Sequence, residues 1–189
     1  MRIILGGNSD IGKAIMGKKI GRYECNVTNY DSVYSCLLAK QATEVVNCAG
    51  VIHPSKIKDS NITDWEQENK VNLLASFYIA KACTELDIKM VFLGSTSGLR
   101  GKAGWSGYCA SKAGLISLVQ SLAGEGFNAW CVNPSRTASK MRKKLFPNED
   151  QSTLLQPSEV MRVVEDCFEG KYKSGSSITI YKSEIKVQE

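Results

Sequence analysis

The sequence contains one histidine, His53, and no Cys-x-x-Cys pair among its seven cysteines. A Ser-His-Asp hydrolase would have to recruit His53 together with a serine and an unplaced acid, and nothing in the spacing supports that. No cluster of His, Cys and Asp has metal-ligand spacing, so no metal site is expected. The cysteines (Cys25, Cys36, Cys48, Cys83, Cys109, Cys131, Cys167) are odd in number and irregularly placed. They fit reduced thiols used as small packing residues in a cytoplasmic protein. No run of about eighteen apolar residues occurs, which excludes a membrane-spanning helix. The chain opens directly on Ile3, Ile4 and Leu5 followed by glycines, without the charged leader of a signal peptide. Positive charge is only mildly in excess, 24 Lys and Arg against 19 Asp and Glu. Apart from one cluster at Lys140, Arg142, Lys143 and Lys144 it is dispersed, so no nucleic-acid partner is expected. Repeats, low-complexity tracts and Pro/Gly/Ser linkers are also missing, and residues 1–189 are therefore read as one domain.

What the sequence does have is alternation of strand-like and helix-like segments. Arg2 to Leu5, Thr43 to Asn47, Lys89 to Leu93, Ala129 to Val132 and Ser177 to Tyr181 are candidate strands. The middle three are nearly continuous in apolar residues, as strands covered on both faces must be. Candidate helices lie near Asp31 to Lys40, Ile62 to Leu86, Ser106 to Gly124 and Pro157 to Phe168. Strand and helix in turn predict an α/β fold with a doubly wound parallel sheet. Ala138 to Gln156 shows no clear pattern and is the candidate for a mobile lid.

After the first strand comes Gly6-Gly7-Asn8-Ser9-Asp10-Ile11-Gly12. Glycines there let the chain turn tightly and bring backbone N–H groups against a pyrophosphate at a helix N-terminus, although a plain turn has the same composition. An acidic residue about 20 positions further on would bind a ribose. Asp31 meets that count, but Thr28-Asn29-Tyr30-Asp31 reads better as a capping box.

The most informative feature is Tyr108-Cys109-Ala110-Ser111-Lys112, because a spacing of four puts phenol and ammonium on one helix face. A nearby cation favours phenolate, which would bring a group titrating near 10 toward the range of a general acid or base. On an exposed helix the same pair would be only a solvated amphipathic contact. Here Ser95 closes a strand thirteen residues earlier, at the end of the sheet where α/β proteins place ligands.

The ordered set Gly6 to Gly12, Asn26-Val27-Thr28, Asn47-Cys48-Ala49-Gly50, Asn72, Ser95, Tyr108, Lys112 and Asn133-Pro134 resembles the short-chain dehydrogenase/reductase family over nearly the whole chain. The resemblance implies a Rossmann-type fold, a nicotinamide cofactor, NAD(H) or NADP(H), and carbonyl–alcohol interconversion. It implies that Tyr108 exchanges a proton with the substrate oxygen and Ser95 hydrogen-bonds it. Lys112 would hold the nicotinamide ribose, and Asn72 a water in a proton relay. Gly6, Asn8, Ser9, Asp10 and Ile11 would line the pyrophosphate; Asn47, Ala49 and Gly50 would pack beside the adenosine ribose. Asn26 and Val27 would lie at the adenine edge, with Asn26 where the family usually has an acid. Pro134 and Thr137 would sit near the nicotinamide amide, although Ser135 replaces the family's glycine.

Only thirteen residues separate Gly12 from Asn26, too few for the two strands and two helices that the family fits there. One strand-helix unit is expected to be missing, leaving a single strand within Lys18 to Thr28 and a sheet shortened on the adenosine side. Arg22 could meet a 2′-phosphate, tilting the cofactor toward NADP(H), or could be an exposed edge-strand arginine. Asn133 to Arg142 is also similar to reductase domains associated with polyol-phosphate cytidylyltransferases. That similarity implies a phosphorylated sugar such as a pentulose phosphate, with Arg136, Lys140 and Arg142 as phosphate donors; the alternative is a solvated basic face. An acyl-carrier or lipid-like ketone reductase, and a dinucleotide-binding sensor or scaffold without turnover, are the competing readings. A homodimer or homotetramer is expected through helices near Asn72 to Leu86 and Ser106 to Gly124, the second carrying Ala110, Ala113, Gly114, Leu115 and Leu118.

Overall fold

A computed structural model describes residues 1–189. Seven strands form one sheet in the order β2-β1-β3-β4-β5-β6-β7. They are β1 (Arg2–Leu5), β2 (Lys18–Ile20), β3 (Glu44–Asn47), β4 (Lys89–Leu93), β5 (Ala129–Pro134), β6 (Ser177–Tyr181) and β7 (Glu184–Gln188). All neighbours pair in parallel except β6 and β7, which form an antiparallel hairpin. The helices are α1 (Asp10–Ala14), α2 (Tyr30–Ala39), α3 (Ile62–Asn69), α4 (Ala75–Glu85), α5 (Ser106–Gly124), α6 (Lys140–Leu145) and α7 (Pro157–Phe168).

The central strands are apolar on both faces because each face carries helices. Ile3, Leu5, Val45, Met90, Phe92 and Cys131 point into a core shared with α2, α4 and α5. Their sequence neighbours Ile4, Val46, Val91, Leu93, Trp130 and Val132 point the other way, against Ile15 and the valines of α7. Successive residues thus serve opposite cores, as the period of two requires. Helix α7 starts at Pro157 behind a capping box between Gln156 and Glu159. It buries Val160, Val163, Val164 and Cys167, the i, i+3, i+4, i+7 pattern of a one-sided helix.

This is the Rossmann-like α/β fold, shortened at one edge: the stretch after α1 contributes the single three-residue strand β2. Several local expectations are revised. Asn29, rather than Thr28, caps α2, its side chain accepting from the Ser32 N–H at 2.8 Å. Thr28 is instead tied back to Asn26 Oδ1. The helix expected from Ile62 to Leu86 runs without a break from Ile62 to Glu85, but through a π turn over Lys70–Leu74 that contains Asn72. The Ala138 to Gln156 segment is structured, holding α6 capped by Ser139 and a 3₁₀ turn at Gln151–Thr153. Strand β7 was not anticipated, although Glu184-Ile185-Lys186-Val187-Gln188 alternates polar and apolar residues; it pairs as an exposed edge strand behind a tight turn from β6.

Candidate active site

The chain runs outward from β1 to β2, then crosses back to β3, so the order of winding reverses between β1 and β3. At such a switch point the strand ends leave a crevice for a ligand. Gly6 stands there with φ +69°, and a Cβ on it would come within 2.6 Å of the Ala49 backbone nitrogen. Only glycine allows the two chain segments to approach so closely. Ser9 caps α1 by accepting from the Gly12 N–H at 3.1 Å. Asp10 uses its carboxylate elsewhere, accepting the Lys140 N–H at 2.6 Å and so tying the start of α6 to the glycine turn.

Beside a cavity of about 640 Å³ lined by Gly50, His53, Asp59, Asp64 and Lys144 among others, two more open at this end of the sheet. One, of about 210 Å³, is lined by Gly6, Arg22, Asn26, Val27, Ala49 and Gly50 among others. Arg22 is exposed and makes no ion pair. The other, of about 650 Å³, is lined by Ile11, Ser95, Tyr108, Pro134, Thr137, Arg136 and Arg142. Asn8 packs its amide against Gly21, 2.9 Å from where a Cβ would stand.

Ser95 follows β4 at its carboxyl end. Its N–H donates to Asn133 Oδ1 at 3.2 Å and its hydroxyl accepts from the Ser97 N–H at 3.1 Å. Asn133, buried on β5, also donates to Ser177 Oγ at 2.8 Å. Gly94 leaves room for it, since a Cβ there would lie 2.0 Å from Asn133 Oδ1. Asn47 closes β3 in a similar way, bonded to Ser76 Oγ and to the Ala49 N–H. In the sequence, Asn133 stood out only as half of an Asn-Pro pair.

Tyr108 and Lys112 lie one turn apart on α5, with Lys112 Nζ 5.7 Å from the centre of the phenol ring. The ammonium is buried and donates to the Leu93 carbonyl at 2.7 Å. Burial lowers its pKa to about 8. Burial also raises the Tyr108 pKa, opposed by the Ser95 hydroxyl and reinforced by the charges of Cys109 and Glu68. The expectation of a phenol lowered by its lysine is therefore reversed in this state: desolvation dominates, and the ammonium is turned to Leu93. Asn72, 1% exposed, exchanges two hydrogen bonds with the Val51 backbone, at 2.9 and 3.0 Å, and donates to Ser111 Oγ at 3.1 Å. Gly50 brings Asn72 and Lys112 to one spot; a Cβ on it would be 3.4 Å from Asn72 Oδ1 and 3.8 Å from Lys112 Nζ. The π turn is what rotates Asn72 inward, and such bulges concentrate at functional sites.

The basic residues beyond β5 behave differently from one another. Arg142 forms a two-pronged ion pair with Glu149, 2.6 Å on each arm, and Arg136 reaches the same carboxylate at 3.3 Å. The Lys140 side chain is exposed and does not line the large cavity. Arg100 and Lys102, not singled out in the sequence, do line it, and no acidic residue does. Lys102 Nζ stacks 3.7 Å above the Trp105 ring, while the Arg142 guanidinium lies 3.9 Å from the Phe146 ring centre. No helix is long and apolar enough to cross a membrane, and no group of three His, Cys, Asp or Glu residues could hold a metal.

Known proteins agree with this architecture. The uncharacterized oxidoreductase YciK of Escherichia coli is 32% identical over 127 residues, 59% of this chain and 50% of that protein. The 3-oxoacyl-acyl-carrier-protein reductase FabG of Rickettsia bellii is 30% identical over 162 residues, 79% of this chain and 66% of that protein. The chain spans about half to two thirds of the length of these curated relatives. In fold, a putative gluconate dehydrogenase from Agrobacterium tumefaciens matches with a TM-score of 0.85 over 96% of this chain and 94% of that one, at 16% identity. The family model described as short chain dehydrogenase matches residues 9–150, well over half of the sequence, and the chain belongs to that family.

Proposed function

We propose that this chain is an NAD(P)(H)-dependent oxidoreductase that interconverts a carbonyl and an alcohol on a small anionic substrate. The observation that carries the reading is that Ser95 and Tyr108 line one cavity adjoining the glycine turn, with the buried Lys112 ammonium 5.7 Å from the Tyr108 ring centre. The residues fit a dinucleotide: the cradle at Gly6 excludes any side chain, and the smaller cavity continues the crevice on the adenosine side. Gly6, Asn8, Ser9, Asp10 and Ile11 would hold the pyrophosphate. Arg22, Asn26, Val27, Asn47, Ala49 and Gly50 would hold the adenosine half, with Lys112, Pro134 and Thr137 on the nicotinamide half. The bound cofactor supplies or accepts the hydride.

The protein's part is to orient the carbonyl and manage its proton. A phenol whose pKa is raised stays protonated at neutral pH and is ready to donate to the carbonyl oxygen during reduction. Ser95 donates a second hydrogen bond to that oxygen, where negative charge develops. Lys112, held by Leu93, provides positive charge behind the phenol, and Asn72 with Ser111 forms a polar path beside it. Arg22, free of ion pairs at the adenosine cavity, favours NADP(H).

Arg100, Lys102, Arg136 and Arg142 line the large cavity without an acidic liner, and this supports an anionic substrate. A pentulose phosphate and an acyl thioester of a phosphopantetheine carrier both carry such charge. Glu149 engages Arg142 closely and Arg136 more loosely, which leaves Arg100 and Lys102 as the donors without an ion-pair partner. The seven free thiols fit the reducing cytoplasm, and exposed Leu74 and Phe77 on the α4 side suit a homodimer or homotetramer.

NADPH and NADH oxidation should be followed with ribulose 5-phosphate, ribulose and a 3-oxoacyl thioester. Turnover of a phosphorylated or thioester ketone, lost in Tyr108→Phe, is the expected result. Failure of either dinucleotide to bind at millimolar concentration, or a Tyr108→Phe variant as active as wild type, overturns the reading. Equal kcat/KM for ribulose and its phosphate overturns only the anionic substrate.

A further inference from the structure

We propose that Glu68, on α3, is a positioning residue that seats the first turn of α5 and thereby the Tyr108 hydroxyl. This rests on the reading of Tyr108 as the proton donor. Glu68 is a carboxylate only 2% exposed, in a chain where every other Asp and Glu lies nearer the surface. Its Oε1 accepts the His53 N–H at 2.7 Å, and its carboxylate also faces the Tyr108 backbone N–H. Helix α5 begins at Trp105 with no capping side chain of its own. The first N–H groups of a helix have no partner within it and carry the positive end of its dipole, so they seek an acceptor, best a negative one. Tyr108 stands in that first turn, and Glu68, from a different helix, brings its negative charge against the turn at Gly107.

Gly107 is cut to fit this arrangement. A Cβ there would lie 2.1 Å from Glu68 Oε2 and 2.9 Å from the Trp65 ring, so any larger residue would push the carboxylate out of its seat. The other arm of Glu68, on His53, anchors the loop after β3 whose Val51 is held by Asn72. One carboxylate thus ties α3, the β3 loop and the start of α5 into a single unit around the candidate site. The ionisable groups facing it are His53 from the loop, Asp64 on its own helix and Tyr108 on α5. Tyr108 in turn faces Cys109 and Glu68 besides Ser95, and the Lys112 ammonium, turned to Leu93, lies 5.7 Å from its ring centre. Removing the Glu68 charge therefore lowers the pH at which the phenol ionises.

Glu68→Gln and Gly107→Ala separate this role from simple packing. Both should lower kcat by about ten- to a hundredfold, the scale of a misplaced reacting group, while the dinucleotide dissociation constant stays at the wild-type value. The double variant should be no worse than the more severe single one, because both break the same contact. Independently of turnover, the Tyr108 phenol titration, isolated as the ultraviolet difference between each protein and its Tyr108→Phe counterpart, should move to lower pH in Glu68→Gln. That readout stands even if the chain turns over none of the ketones tried. Should Glu68→Gln fail to fold, Gly107→Ala with Glu68 intact decides the matter by the same measurements. Wild-type kcat with an unmoved phenol titration, or strictly multiplicative effects of the two changes, overturns the proposal.

Discussion

Replacing Lys112 with methionine separates what the buried ammonium does for stability from what it does for chemistry. The side chain is 4% exposed, and its burial lowers the pKa from the ordinary 10.5 to about 8. At 1.36 kcal/mol per pH unit, that difference amounts to about 3 kcal/mol by which folding disfavours the charged form. The hydrogen bond to Leu93 works the other way, and leaving that carbonyl without a donor costs about 1–3 kcal/mol. Lys112→Met should therefore unfold at neutral pH within about 2 kcal/mol of wild type, the two effects offsetting. The pH dependence is the sharper test. Between about 8 and 10.5 the unfolded chain carries a proton that the folded chain has released, so wild-type stability rises with pH across that window. Below pH 8 both states are protonated and the difference from the variant is flat. Urea titrations followed by tryptophan fluorescence, in reducing buffer at steps from pH 7 to 10.5, should show wild type gaining about 3 kcal/mol on Lys112→Met. Parallel curves for the two proteins would refute the claim that the amine is desolvated.

Gly94→Ala forces a methyl against Asn133 Oδ1 and Cys131 Sγ and detaches Asn133 from the Ser95 N–H. It should cost about 2–4 kcal/mol by thermal unfolding and lower kcat further than that loss accounts for; a wild-type melting temperature would count against the close packing. The Cys131 thiol, fully buried, is pushed up to about 12, so its contribution to stability is present below pH 9 and lost as pH rises toward 12. Relative to Cys131→Ala, wild type should lose about 1.4 kcal/mol per pH unit above 9, and an unchanged difference would show the thiol to be solvated. Arg22→Ala should weaken NADPH binding about tenfold or more and leave NADH nearly unaffected, as expected for loss of one charge-assisted contact. An equal effect on both dinucleotides, measured by fluorescence titration, removes the argument for a 2′-phosphate contact.

Much of the architecture was legible because it is written over short distances. The nearly continuous apolar runs of β3, β4 and β5 mark strands covered on both faces, and the four-residue step from Tyr108 to Lys112 fixes their shared helix face without reference to the rest of the chain. The thirteen residues between Gly12 and Asn26 likewise limited the sheet's edge to one short strand, as observed in β2.

Other features depend on partners far away in the chain, and no local pattern reports them. The Tyr108 phenol is raised and not lowered, because burial of the site outweighs a neighbouring charge that is itself occupied at Leu93. Arg136 and Arg142 were both candidate anion donors, Arg136 the better one, and the fold brings both to Glu149. Glu68 was not singled out in the sequence, and only the approach of α5 and the loop after β3 buries it. Hydrophobic period and backbone preference are properties of adjacent residues, so the sequence alone determined the elements and their faces. Desolvation, ion pairing and shared caps are set by which groups meet in space, and for that the tertiary structure was decisive.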